Sequence, residues 1–172
     1  LLVLVQNQIG YRNLSEIITR GHLGGAHGDF WLHLNDLESH TAGLVALSGG
    51  KRSPGVDFLR RRKRNDAIAF FRKLQSIFGK QFYIELRNFT PEDDWLNIKV
   101  AALARELKIP VVATNDVHLL KPSDWEIWRT LQAIDQNTIL EKTVGVGSPE
   151  QFLKSPRQMR ERFRKHPDAL LN

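Results

Sequence analysis

Four short apolar runs recur along this chain: Leu1–Val5, Gly43–Ser48, Phe82–Leu86 and Ile109–Thr114, with stretches of helical periodicity between them. That alternation leaves few architectures open. Parallel strands need a crossover connection, and a helix is the usual one. The predicted class is therefore α/β with parallel strands, and Leu1–Val5 reads as a buried first strand. Four strands are too few to close a barrel alone. Asn7 to Tyr11 reads as a turn, and Asn13–Arg20 as a helix with Leu14, Ile17 and Ile18 on one face. Gly21 to Asp29 is a Gly- and His-rich loop, and Leu34 to His40 is a short helical turn or a loop. The spacing predicts a helix over Asn65–Phe78 that buries Ile68, Phe71, Leu74, Gln75 and Phe78 and stops at Gly79. It predicts another over Pro91–Leu107 with Trp95, Ile98, Ala102 and Leu103 inward. Past His118, Ser123 with Glu126 three residues on resembles a capped start for a helix running to Asp135. Thr143 to Ser148 is a connector. Ser148-Pro149 and Ser155-Pro156 both read as helix openings with Pro in the first position.

The 172 residues suffice for one domain with a real core, and 41% are hydrophobic. No apolar stretch nears the ~20 residues a bilayer span requires. The opening run is too short for a signal-peptide core and no basic segment precedes it. The only methionine is Met159, so a start inside a strand reads as a piece of a longer protein or a processed end. With no cysteine, disulfides, zinc fingers, iron–sulfur clusters and thiol catalysis are excluded, and the cytoplasm is the expected compartment. The net charge of +6 favours polyanionic partners. Much of that excess sits in Arg60, Arg61, Arg62, Lys63 and Arg64, and in the stretch from Lys154 to Lys165.

Chemistry concentrates where the fourth run ends, at Thr114-Asn115-Asp116-Val117-His118. Residues two apart in a strand point the same way. Asp116 and His118 are thus candidate ligands for one divalent cation, and carboxylate with imidazole suits zinc, manganese or iron. The other reading is a polar turn in which Asp116 caps the next helix and His118 lies on the surface. His22, His27, His33 and His40 lie within 19 residues. Their spacings fit no zinc motif, so exposed loop histidines compete with a metal site there. Ser48-Gly49-Gly50-Lys51 follows a strand and is either a phosphate cradle or a tight strand exit. Neither a Walker A loop, a dinucleotide fingerprint nor a Gly-x-Ser-x-Gly elbow is present. Glu92, Asp93 and Asp94 open a helix, where the macrodipole favours them. Glu85 faces either inward or outward. Arg60 to Arg64 is a candidate nucleic-acid contact or a solvated helix start, with no aromatic interleaving for base stacking.

Several segments carry a family resemblance in register. They are Leu2–Val5 with Gly10–Leu14, then Gly43–Gly49, Phe82–Leu86 and Ile109–His118, and finally Phe152–Ser155 with Met159, Phe163, Pro167 and Ala169-Leu170. Together they resemble the amino-terminal polymerase-and-histidinol-phosphatase (PHP) domain of bacterial DNA polymerase III alpha subunits and their error-prone relatives. The resemblance implies a distorted β/α barrel with metal ligands, mostly His with some Asp, Glu or Cys, at one mouth. In active members it implies a trinuclear phosphoesterase centre linked to 3′–5′ proofreading. Asp116 and His118 match the family's final Asp-x-His ligand pair. Gly50 stands where the family often has Cys, and Phe89 where a His usually follows the third strand. The opening His-x-His motif would precede Leu1.

A trinuclear site needs about nine ligands, and Gly and Phe donate nothing in place of two of them. The resemblance therefore implies a partial PHP-type α/β barrel over residues 1–142 and a helical connector over 143–172 leading to a polymerase module. It implies a segment of a C-family DNA-directed DNA polymerase kept as a degenerate scaffold, with DNA, the rest of the polymerase chain and other replication subunits as partners. The competing expectation is an active metal-dependent phosphoesterase or proofreading nuclease.

Overall fold

The computed structural model describes residues 1–24, 30–50, 53–145 and 147–172. Strand β1 (Leu2–Val5) leads into helix α1 (Gln8–Gly24), and a 3₁₀ turn over Leu34–Leu37 precedes β2 (Leu44–Leu47). Helices α2 (Pro54–Arg60) and α3 (Arg64–Phe78) cross to β3 (Phe82–Leu86), and α4 (Pro91–Leu107) crosses to β4 (Val111–Ala113). Helix α5 (Trp125–Asp135) and α6 (Pro156–Arg162) follow. The strands lie in the order β1-β2-β3-β4. Strands β2, β3 and β4 are parallel, with Ala46 opposite Phe82 and Glu85 opposite Val112. Strand β1 runs antiparallel to β2, with Leu4 opposite Val45. The α/β class is as expected. The described strands form an open sheet, and the antiparallel β1 departs from the all-parallel expectation.

Alternation along the strands builds the core. Leu44, Ala46, Phe82, Ile84 and Leu86 are fully buried and pack with Phe71, Leu74, Val100 and Phe163 in one cluster. At about 25 cal/mol per Å² of apolar surface, each of the Leu, Ile, Val and Phe side chains contributes ~1.5–3 kcal/mol. The first strand corrects its expectation: Leu2 and Leu4 are 46% and 48% exposed. It is an edge strand with a partner on one side only, so its apolar character does not bury it.

Helix boundaries follow their caps. The Asn7 side chain accepts from the Gly10 N–H at 3.0 Å, so α1 begins at Gln8 and absorbs the expected turn. Gly10 lies against Gly43, where any Cβ on Gly10 would stand 1.9 Å from the Gly43 carbonyl oxygen. Helix α3 starts within a residue of its predicted position and ends at Gly79, whose φ of 56° favours glycine. Helix α4 has the predicted bounds but buries another face. Leu96, Val100, Leu103, Ala104 and Leu107 go inward, whereas Trp95 and Ile98 are about half exposed. The buried stripe includes two polar residues that apolar periodicity overlooks. Asp93 accepts from the Phe89 and Thr90 N–H groups at 2.8 Å, and Asn97 donates to the Arg87 carbonyl at 2.9 Å.

Ser155 caps α6 as predicted, accepting from the Gln158 N–H at 3.3 Å. Ser148-Pro149 opens no helix; its hydroxyl closes a turn with the Glu150 N–H at 3.2 Å, and Phe152 then bridges to Leu119. Before α5 a 3₁₀ turn over Pro122–Asp124 intervenes, and Asp124, not Ser123, accepts from the Lys121 N–H. The segment from Gln151 onward folds back onto the sheet. Phe163 and Ala169 enter the common core, and Asn172 donates to the Val111 carbonyl at 3.0 Å.

Candidate functional site at the strand ends

Parallel strands converge their following loops at one edge, where sites of α/β proteins form. Here the exits of β2, β3 and β4 bring together Gly49-Gly50, Arg87 and the Thr114–His118 segment. Asp116 takes a left-handed backbone conformation, φ 43°, which Asp tolerates better than most residues. Its Oδ2 meets Arg87 Nη1 at 2.6 Å, and its Oδ1 lies 3.6 Å from His118 Nε2. Gln151 Nε2 donates to Oδ2 at 3.1 Å and to the Asp116 carbonyl at 3.2 Å. The His118 ring stacks on Trp128 with centroids 4.8 Å apart. Asp116 and His118 are thus brought together, but the cation facing their carboxylate is a guanidinium.

Arg87 is held deep for an arginine, with 13% of its side chain exposed. It occupies the room that a side chain at position 50 would need: a Cβ on Gly50 would stand 2.2 Å from Arg87 Nε and 2.6 Å from Nη2. The cavity left between Gly50, Glu85 and Arg87 is ≈ 10 Å³, at the limit for one water. Glu85 points inward and accepts from Thr114 Oγ1 at 2.5 Å, while its own N–H donates to Ser48 Oγ at 3.0 Å. Asn115 ties this loop to the chain's end, donating to the Phe152 carbonyl at 2.6 Å and the Glu150 carbonyl at 3.2 Å.

The donor set does not fit a metal centre. Among the described residues no three or more His, Asp or Glu side chains gather where they could hold an ion. His40 is buried against Glu16, Nε2 to Oε2 3.0 Å. His22 and His33 lie edge-on to Phe30 and Trp31. His27 and Lys51 lie outside the described residues, so the metal reading of the loop and the phosphate reading of Ser48-Gly49-Gly50-Lys51 are carried no further.

The basic run forms the corner between two helices. Arg60 ends α2 and Arg64 begins α3, with Arg62 at φ 60° in the turn. Arg60 pairs with Asp57 and Glu92, Arg61 with Asp57 at 2.8 Å, and Arg64 with Glu106. Arg62 and Lys63 have no ion-pair partner among the described residues.

Sequence reasoning missed Arg87, Asn115 and Gln151. A signal for Arg87 existed: it lies two residues past Glu85 at a strand's carboxyl end, hence on the same side. Gln151 carried no comparable signal, because its contacts span 35 residues.

An α/β domain with its polar residues gathered at the carboxyl ends of parallel strands is the class this geometry defines. The PHP domain family model matches residues 1–88, and the chain belongs to that family. It is 34% identical to the DNA polymerase III subunit alpha of Pseudomonas aeruginosa and 32% identical to that of Escherichia coli O6:H1, in each case over 100% of this chain and 15% of the relative. It is 31% identical to the one of Thermus aquaticus over 93% of this chain and 13% of the relative. The chain spans about 15% of the length of the relatives it matches.

Proposed function

We propose that this chain is the PHP module of a bacterial DNA-directed DNA polymerase of the polymerase III alpha kind, and that it serves as a non-catalytic scaffold for the polymerase core. The observation that carries the scaffold reading is the Arg87–Asp116 ion pair at 2.6 Å. A metal ion and a guanidinium cannot share that carboxylate oxygen at full strength, since their like charges repel across a partly desolvated site. Arg87 supplies the positive charge that zinc, manganese or iron would otherwise bring. Gly50 and Phe89 contribute no donor side chain.

The nuclease alternative requires a metal-activated hydroxide and has no support from these side chains. Template-directed synthesis, DNA and the remaining polymerase chain as partners, a barrel completed by further strands, and a cytoplasmic location are parts of the same proposal. No described helix is long and apolar enough to cross a membrane.

Elemental analysis of the whole parent polymerase, purified without chelator, tests the reading. The expected result is no stoichiometric zinc, manganese or iron, and no 3′–5′ nuclease activity that depends on Asp116. Two or three metals per chain, lost in Asp116→Asn, would overturn it.

A further inference from the structure

Helix α4 is apolar on two sides. Leu96, Val100, Leu103 and Leu107 enter the core, while Trp95 and Ile98 are half exposed and Ala102 is exposed. Trp95, Ile98 and Ala102 follow one another at three- and four-residue steps, so they share one outer face. Beside that face, between α4 and the corner joining α2 to α3, runs a groove of ≈ 350 Å³. Leu59, Ala102 and Leu103 form its apolar part, and Arg62, Arg64, Lys99 and Glu106 its charged part. Glu106, the one acid among the groove's described lining, is taken by Arg64. Arg62 and Lys99 have no ion-pair partner among the described residues, so the groove is left with two unmatched cations. Lys63 and Asp66, a cation and an acid near the corner, lie outside its lining. Lys99 Nζ is 3.8 Å from the centroid of the Trp95 ring, which joins the groove to the open apolar face.

An aliphatic groove continuous with an exposed tryptophan and edged by unmatched cations has the chemistry of an interface for an acidic amphipathic segment. Apolar side chains of such a segment fill the groove, and its carboxylates meet Arg62 and Lys99. Tryptophan and arginine are also the residues that dominate the energetics of protein interfaces. A nucleic acid fits this surface worse. The groove itself offers aliphatic carbon and no ring for a base to stack on, Lys99 already covers the Trp95 ring, and Glu106 would oppose a continuous run of phosphates.

We propose that the groove between α4 and the α2–α3 corner, together with the face of Trp95, Ile98 and Ala102, docks an acidic amphipathic segment of another protein. The surface uses none of Arg87, Asp116 and His118, and does not depend on whether the strand-end site holds a metal.

The test is fluorescence anisotropy with a labelled helical peptide of about 15 residues, titrated with the whole parent polymerase. The peptide carries Leu at i, i+3, i+4 and i+7 and Glu on its other faces. It is expected to bind at least ~10-fold more tightly than versions with Lys in place of Glu or Ala in place of Leu. R62Q/K99Q is expected to weaken binding about fivefold or more and to remove most of its salt dependence. Trp95→Ala is expected to weaken it about tenfold or more with the salt dependence kept. R12Q/R20Q, a charge-matched control elsewhere on the surface, should keep the affinity. Thermal unfolding of each variant verifies the fold, since the substituted side chains are exposed or half exposed. No binding at about 50 mM salt would overturn the proposal, as when the rest of the polymerase chain or a second copy covers the face. Equal binding of the Lys peptide, equal losses in the control, or unaffected binding in R62Q/K99Q or Trp95→Ala would overturn it too. So would displacement of the peptide by oligo(dT) as readily as by unlabelled peptide, which would make the surface one for nucleic acid.

Discussion

The residue that most shapes the strand-end site is Arg87. Removing it leaves Asp116 facing only Gln151 and a distant His118, and a charge-assisted contact of this kind contributes about 1.5–3 kcal/mol. Arg87→Met should therefore lower the unfolding free energy by an amount in that range, read by urea denaturation. A double-mutant cycle with Asp116→Asn should show non-additivity of at least ~0.5 kcal/mol. An additive cycle would mean that the pair contributes nothing as a pair. Gly50→Cys would set a thiol beside the Asp116 carboxylate, yet its Cβ would collide with the Arg87 guanidinium at 2.2 Å. It should destabilise by about 1–3 kcal/mol and gain no zinc affinity. Combined with Arg87→Ala, the same change should be tolerated far better, since the obstruction is then gone.

At the scale of elements, the tail is held by a core anchor and by caps. Phe163 is 1% exposed within the common core, and Phe163→Ala should cost about 3–5 kcal/mol. Ser155→Ala removes the cap of α6 and should cost about 1 kcal/mol, seen as faster amide exchange across that helix. His166, before the final 3₁₀ turn, has its pKa lowered by burial, with Asp168 and Asp94 opposing. Its Nε2 is buried without a hydrogen-bond partner among the described residues. A histidine with a folded pKa below its unfolded value of about 6.5 binds fewer protons when folded. Stability should therefore fall as pH drops below about 6.5 and level off beneath the folded pKa. His166→Gln should flatten that part of the profile. The Asp94 carboxyl is also lowered, and it adds to the same loss at a more acid pH: the hydrogen bond from Lys165 holds it below the usual range. Its stabilisation is present above the unfolded pKa of about 3.9 and disappears as pH falls through the folded value.

Across the whole molecule, what was legible in the sequence was what depends on neighbours in the chain. Local periodicity and stop signals placed β3, α3 and the bounds of α4, because spacing and Gly79 act within a few residues. The Asp-x-His pair was legible for the same reason, since two side chains of one segment meet without help. Exposure was not legible: Leu2–Val5 has the composition of an interior strand, and only its edge position leaves it open. The buried face of α4 was hidden because Asp93 and Asn97 go inward to satisfy backbone groups of another loop. The family itself, the class of fold and the surplus of positive charge were determined by the sequence alone. Which cations are already matched, and that Arg87 fills the room left by Gly50, only the tertiary structure decided. Ion pairs such as Arg87–Asp116, 29 residues apart, exist only once packing has brought distant side chains within reach, and no local pattern encodes that meeting.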